Sequence, residues 1–293
     1  MPRVLLDEGN RLHYQVHDYV DPWRTPETVV LHHGLGKSGR WWLPWARLLA
    51  RHFRVVTVDM LGCGRSSRPV GHRWSIADHA ANAVALFDAL GTERVHFVGE
   101  AVGGCVGLQL GARHGDRLHT LTLCSTPFRP TAGPVNLQEK SDEISHGGLA
   151  GLMAAVDREL PSRIEWDRYP AEMYAWYRAE RLSASPRIVA EHHAAQARED
   201  LEWTLPLITA PTLLVIPDES PVGATGQMQQ MARVIPQADV AALAAGRRRP
   251  VWYHFAEADD CVAAFLDFVA CTPRSTPADG SPAPGPSTPA GPA

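Results

Sequence analysis

Cysteine is scarce in this chain of 293 residues: there are five, Cys63, Cys105, Cys124, Cys261 and Cys271, scattered and without a Cys-x-x-Cys pair. An odd, dispersed set excludes a disulfide framework and reads as the reduced thiols of a cytoplasmic protein. An excess of charge is also missing. The formal net charge is -4, and 20% of residues are charged, so there is no field to attract nucleic acid. The single basic cluster, Arg247-Arg248-Arg249, has no aromatic interleaving and reads as a solvated loop. Long apolar runs are absent too. The N-terminal stretch meets Asp7 and Glu8 before a signal-peptide core could form, and no later run approaches a membrane span. These absences leave a chain with neither a membrane nor a nucleic-acid partner. At 45% hydrophobic residues it is long enough for one large α/β domain with an insertion, or for two small domains.

One further absence is a single hydroxyl. The stretch Val95-His96-Phe97-Val98-Gly99-Glu100-Ala101-Val102-Gly103-Gly104 is an apolar run, a glycine-framed turn and the start of a helical pattern. It has the frame of a nucleophile elbow, Gly-x-Ser-x-Gly after a strand, with Ala101 where the serine would stand. Side chains at Gly99 and Gly103 would collide with neighbouring backbone in such a turn.

What is present is an alternation of strands and helices. Arg11 to Val16 alternates polar and apolar residues, as a half-exposed antiparallel edge strand does, whereas Thr28 to Leu31 is a continuous apolar run suited to a buried parallel strand. That run leads into His32-His33-Gly34-Leu35-Gly36. Trp42, Trp45, Leu48 and Leu49 share one helical face. Strand Arg54 to Val58 ends at Asp59, and Ser75 with Asp78 forms a capping signal for a helix to about Leu90, closed by Gly91. After the elbow come a helix from about Val102 to His114 and a strand from Leu118 to Leu123. Elements of these lengths imply β-α-β units and a doubly wound, mostly parallel sheet.

From Cys124 to Pro211 the alternation stops. Helical patterns at Gly148 to Glu159 and Ala171 to Arg181 predict a helical lid over residues 126–204, inserted into a core formed by 1–125 and 205–270. Strands resume at Pro211 to Ile216 and Ala238 to Leu243, and a last amphipathic helix covers Ala256 to Ala270. Residues 271–293, rich in Pro, Ser, Gly and Ala, read as a disordered tail.

Acyl transfer needs a nucleophile, a base, an acid that orients the base, and donors aimed at the oxyanion. His254, after the last strand and just before the final helix, falls at the carboxyl edge of the sheet with the elbow and is the candidate base. Backbone N–H groups of Leu35 and Val102 are the candidate oxyanion donors. Trp42, Trp166 and Tyr169 are candidate pocket walls. Lys37 and Arg40 could receive a substrate carboxylate, although solvated surface charge is their expected role. A metal site built on His32, His33, His192 or His193 fits poorly, since adjacent histidines point apart, and no cofactor is implied.

These motifs in this order make the chain resemble the α/β-hydrolase superfamily over about residues 3 to 270: His33-Gly34 after a strand, Asp59-Met60-Leu61-Gly62-Cys63-Gly64-Arg65-Ser66 after the next, the elbow, and His254 with Glu257. In texture it is similar to the 3-oxoadipate enol-lactonase group and related small-molecule hydrolases. The resemblance implies a small ester or lactone substrate and leaves room for a homodimer. It also implies an acid in a Gly-Asp-x-Asp turn, and here the matching residues are Pro217-Asp218-Glu219-Ser220. A serine takes the acid's place, and Asp218 is the candidate for the orienting carboxylate, with Glu219 behind it. A further departure is that seven residues, Arg247 to Tyr253, separate Gly246 from His254. Two readings follow. In the favoured one, Ala101 stands in for a serine in an inactivated hydrolase. In the other, the chain is a natural serine-less protein that binds a ligand or uses His254 as a base without covalent catalysis.

Overall fold

The computed structural model describes residues 2–7, 9–130, 136–158, 169–216, 224–243 and 253–273. An eight-stranded sheet runs through the molecule in the order β1-β2-β4-β3-β5-β6-β7-β8. Its strands are β1 (Arg3–Leu5), β2 (Arg11–His17), β3 (Thr28–His32), β4 (Arg54–Asp59), β5 (Val95–Glu100), β6 (Leu118–Cys124), β7 (Thr212–Ile216) and β8 (Ala238–Ala242). From β4 to β8 every pairing is parallel, while β1 and β2 are antiparallel additions. The pattern of Arg11 to Val16 predicts the edge strand, but β1 occupies that edge and β2 lies between β1 and β4. The three-residue β1 is too short to show a period of its own.

Helices α1 (Leu43–Leu49), α2 (Ile76–Ala89) and α3 (Val102–Arg113) follow the expected segments. Ser75 caps α2, its hydroxyl accepting from the Asp78 N–H at 3.0 Å, and Gly91 follows with φ 64°. Among the described residues between β6 and β7 are the α-helices α4 (Leu137–Arg158), α5 (Ala171–Leu182) and α6 (Pro186–Gln196). The helix expected from Gly148 is the second half of α4, which begins earlier and breaks at Gly148, where φ is 53°. The remaining helices are α7 (Ala224–Val234), the single turn α8 (Tyr253–Ala256) and α9 (Ala258–Cys271). The helix expected from Ala256 to Ala270 is α9, which begins at Ala258, and His254, expected just before it, lies in the single turn α8. Among the described residues no helix is long and apolar enough to cross a membrane.

Continuous apolar strands bury both faces of the sheet, giving two cores. One, with Val30, Phe97, Val106, Leu121 and Leu214, lies under α2, α3 and the inserted helices. The other, with Leu31, Trp42, Trp45, Val98, Tyr253 and Phe265, lies under α1 and α9. Each fully buried large apolar side chain stabilises the fold by roughly 1.5–3 kcal/mol.

The first core also encloses imidazoles. His79 of α2 and His192 of α6 face each other with ring centroids 5.1 Å apart, and His32 ends β3. All three are buried. Burial, reinforced by neighbouring histidines, pushes His32 and His192 down to about 3 and His79 well below the usual imidazole range. An unfolded chain holds these groups near their ordinary value of about 6.5. Below that pH the unfolded state therefore binds more protons, and stability falls as pH drops towards about 3. Each such histidine contributes a slope of about 1.4 kcal/mol per pH unit. The urea midpoint is expected to fall steadily from about pH 7 to about pH 5, and His79→Gln is expected to flatten that dependence in equilibrium unfolding.

Candidate active site

The elbow is built as its glycines require. Ala101 sits between β5 and α3 with φ 50° and ψ -113°, a conformation that costs a non-glycine residue of order 1–3 kcal/mol. A side chain at Gly99 would strike the Gly103 carbonyl, and one at Gly103 would strike the His32 carbonyl. The turn therefore packs directly on the end of β3. Ser125, at the end of β6, is the other described non-glycine residue with positive φ. Both strained residues line one cavity of about 140 Å³, which is where backbone strain is expected to gather.

On the sheet side that cavity is lined by Leu35, Lys37, Glu100, Ala101 and Val102. Val102 opens α3, so its N–H belongs to the first turn, which lacks intrahelical acceptors. Leu35 follows the His33-Gly34 turn. The two predicted oxyanion donors are thus brought to the same cavity as Ala101. The loop carrying Leu35 is pinned by His33, whose Nε2 accepts from the Met60 N–H at 3.0 Å while Nδ1 lies 2.6 Å from the Gly34 carbonyl. An acceptor Nε2 leaves the proton on Nδ1. Burial lowers the pKa of His33 and keeps this neutral form.

The charge expected at the surface lies inside. Lys37 Nζ is 2.7 Å from Glu100 Oε1, and the two side chains are 7% and 1% exposed. Glu100 Oε2 accepts from the Gly34 N–H at 2.8 Å. A methyl built on Gly34 would lie 2.5 Å from Glu100 Oε2 and 3.2 Å from the Ala101 methyl, so carboxylate and methyl stand over the same glycine. Burial acts to raise the Glu100 pKa. The Lys37 charge, with hydrogen bonds from Lys37 and Gly34, outweighs it and holds the carboxyl below its usual range.

His254 is fully buried. Its Nε2 accepts a hydrogen bond from Trp41 Nε1 at 2.8 Å, and its carbonyl accepts from Trp45 Nε1 at 2.7 Å. Indole nitrogen only donates, so the imidazole is neutral with its proton on Nδ1. Burial lowers its pKa to about 3. Among the described residues Nδ1 has no hydrogen-bond partner. Asp218, its predicted partner, lies outside the described residues, as do Glu219, Ser220, Trp166, Gly246, Arg247 to Arg249 and all of the tail beyond Pro273.

Three of the candidate substrate-contact residues lie off the lining of this cavity. Trp42 lies in the second core, edge-on to Trp45 and 5.2 Å from the His254 ring, because its turn faces it away from the cavity and towards α9. Arg40 is 55% exposed and pairs with Glu180 of α5. Together they border a separate cleft with Asp59 and Arg68. Tyr169 donates to Glu257 at 2.8 Å and is not among the residues that line the cavity. The walls come instead from Tyr177, Arg181 and His193 of the inserted helices, with Phe128 and Leu201. Arg181 donates to the Leu35 carbonyl. Trp41 and the Lys37–Glu100 pair are the residues that sequence reasoning missed. A glutamate ending an otherwise apolar strand was their one signal, since a buried carboxylate calls for a cation.

A family model described as the alpha/beta hydrolase fold matches residues 27–254, from the start of β3 through His254. The chain belongs to the α/β-hydrolase fold family. Relatives of this α/β-hydrolase include a Yersinia enterocolitica protein named "Putative carbamate hydrolase RutD", 30% identical over 75% of this chain and 80% of that one. A protein of the same name from Caulobacter vibrioides is 40% identical, but over 44% of this chain and 48% of its own length, so that match spans about half of the relative. Among solved structures, the enol-lactonase from Burkholderia xenovorans LB400 superposes with TM-score 0.79 at 25% identity, covering 92% of this chain and 100% of that one. A thermophilic esterase from Thermogutta terrifontis shares the fold, with TM-score 0.79 at 22% identity over 92% of this chain and 97% of its own.

Removing the indole donor isolates the imidazole. Trp41→Phe leaves His254 Nε2 buried without its partner, so a loss of about 1–3 kcal/mol is expected in denaturant unfolding, beyond any effect on turnover.

Proposed function

We propose that this α/β-hydrolase cleaves the acyl–heteroatom bond of a small ester, lactone or carbamate in the cavity beside Ala101, with water in place of a serine hydroxyl as nucleophile. The observation that carries this reading is that Ala101, Leu35 and Val102 line one cavity, whereas the acceptor nitrogen of His254 is occupied by Trp41. The site keeps the surroundings of a carbonyl under attack, and position 101 carries no hydroxyl for His254 to deprotonate. The solved relatives support ester and lactone chemistry by name, and the curated relatives support carbamate. Helices α4 to α6 act as the lid, and the apolar walls at Val102, Phe128 and Leu201 favour a compact substrate.

In this mechanism the substrate carbonyl oxygen lies between the Leu35 and Val102 N–H groups. Water adds at the carbonyl carbon, and the tetrahedral intermediate collapses with loss of the alcohol or amine. No acyl-enzyme forms, since Ala101 has no atom to carry one.

The older geometry favours a second reading, an active serine form of which Ala101 is the silenced version. The elbow keeps its strained φ of 50° without a hydroxyl to present. Para-nitrophenyl acetate, dihydrocoumarin and para-nitrophenyl carbamate, assayed with the chain as it stands and with Ala101→Ser, separate the two. The water reading expects turnover above background without a burst, and no gain of more than a few-fold from the serine. Silence of the alanine form together with turnover by Ala101→Ser, abolished again by His254→Ala, would overturn it.

A further inference from the structure

The hydrolase reading places a water at Ala101 and leaves open what takes its proton. We propose that Glu100, held and charged by Lys37, is the general base for that water, so that a buried Lys–Glu pair does here what histidine does beside a serine; this inference rests on the proposed function. The juxtaposition that carries it is the Glu100 carboxylate beside the Ala101 methyl over Gly34, with both facing the cavity.

Four observations converge on the pair. A carboxylate accepts at about four lone-pair sites. The bonds from Gly34 N–H and Lys37 Nζ fix one oxygen each and leave capacity for a water. Lys37 is itself placed by Trp41, whose ring centroid lies 4.2 Å from Nζ, a distance suited to a cation–π contact. His254 in turn orients Trp41 through the indole hydrogen bond. Residue choice points the same way. The chain has two lysines, Lys37 and Lys140, within a total of 28 lysines and arginines, and both line this cavity.

The step balances with water as the only co-reactant. Glu100 takes a proton as the water oxygen bonds to the carbonyl carbon, and the carbonyl electron pair moves to the oxygen held by the backbone N–H groups. Collapse reforms the carbonyl and breaks the bond to the leaving oxygen or nitrogen, which receives the proton from Glu100. The carboxylate is regenerated. Glu100 is the catalytic residue, and Lys37, Trp41 and His254 are positioning residues.

The test uses the three probes above with the full chain. Glu100→Gln alone leaves an ammonium buried without its counter-charge and endangers the fold. The decisive variant is therefore Lys37→Met with Glu100→Gln, which removes both charges together, accompanied by Lys37→Arg. The double variant is expected to keep a cooperative unfolding transition and to lose at least about a hundredfold in kcat with KM within a few-fold. Lys37→Arg, which keeps the charge, is expected to retain more of kcat than Lys37→Met. A single turnover in heavy-oxygen water is expected to label the product acid and not Glu100. Turnover by the unaltered chain that survives the double variant within threefold overturns the base while sparing the hydrolase. Label in Glu100 makes it a nucleophile and overturns the base as well. Absence of turnover of every probe by the unaltered chain overturns the hydrolase reading, and this inference with it.

Discussion

A carboxylate at the last position of an internal parallel strand has to be neutralised where it stands, and much of this site follows from how Glu100 is neutralised. Burying an unpaired ion costs several kcal/mol, so the loop after β3 folds back to bring Lys37 against it. That fold-back sets the position of the Gly34 N–H, which the same carboxylate accepts. Lys37 then needs a surface that tolerates an ammonium, and the Trp41 ring supplies it. Trp41 is held by stacking on Trp176 and Phe255 and by its hydrogen bond to His254. His254, the candidate base in the sequence, thus stands at the outer end of a chain of contacts that ends at a carboxylate.

The contacts differ from those of an active triad. In the triad the acid orients the histidine and the histidine activates the nucleophile. Here the orienting contacts run inward from the neutral imidazole, through indole and ammonium, to Glu100. The fold is unchanged because the strand order and the elbow's packing on β3 do not depend on which side chain occupies position 101.

The sheet and most of its helices were legible because their signals are local. Continuous apolar strands, the Ser75 cap and the glycine after α2 each act over a few residues. The elbow was legible for the same reason, since Gly99 and Gly103 are demanded by backbone approach, whatever stands between them. The inward turn of Lys37 was not legible: no periodicity marks it, and the partner that draws it in lies 63 residues away in sequence. Trp42 was misplaced for a related reason. Adjacent tryptophans in this short turn pack into opposite cores, and composition cannot say which of Trp41 and Trp42 enters which. Short β1 escaped notice because three residues are too few to show alternation.

Two neighbouring residues of α5 have a joint effect on the cavity. Glu180 receives the Ser38 hydroxyl and pairs with Arg40, and Arg181 donates to the Leu35 carbonyl. A side chain at Gly36 would meet the Arg181 guanidinium at 2.6 Å, so the loop from Leu35 to Arg40 is clasped at both ends by one helical turn. The α5 turn beside the cavity and the loop that carries Leu35 are therefore a single mechanical part. Displacing α5 breaks several of these bonds together, and each hydrogen bond involving a charged group is worth about 1.5–3 kcal/mol. Arg181 lines the chamber while its neighbour Glu180 faces the outer cleft, so a substitution in this one turn of α5 disturbs both ends of the Leu35 to Arg40 loop together.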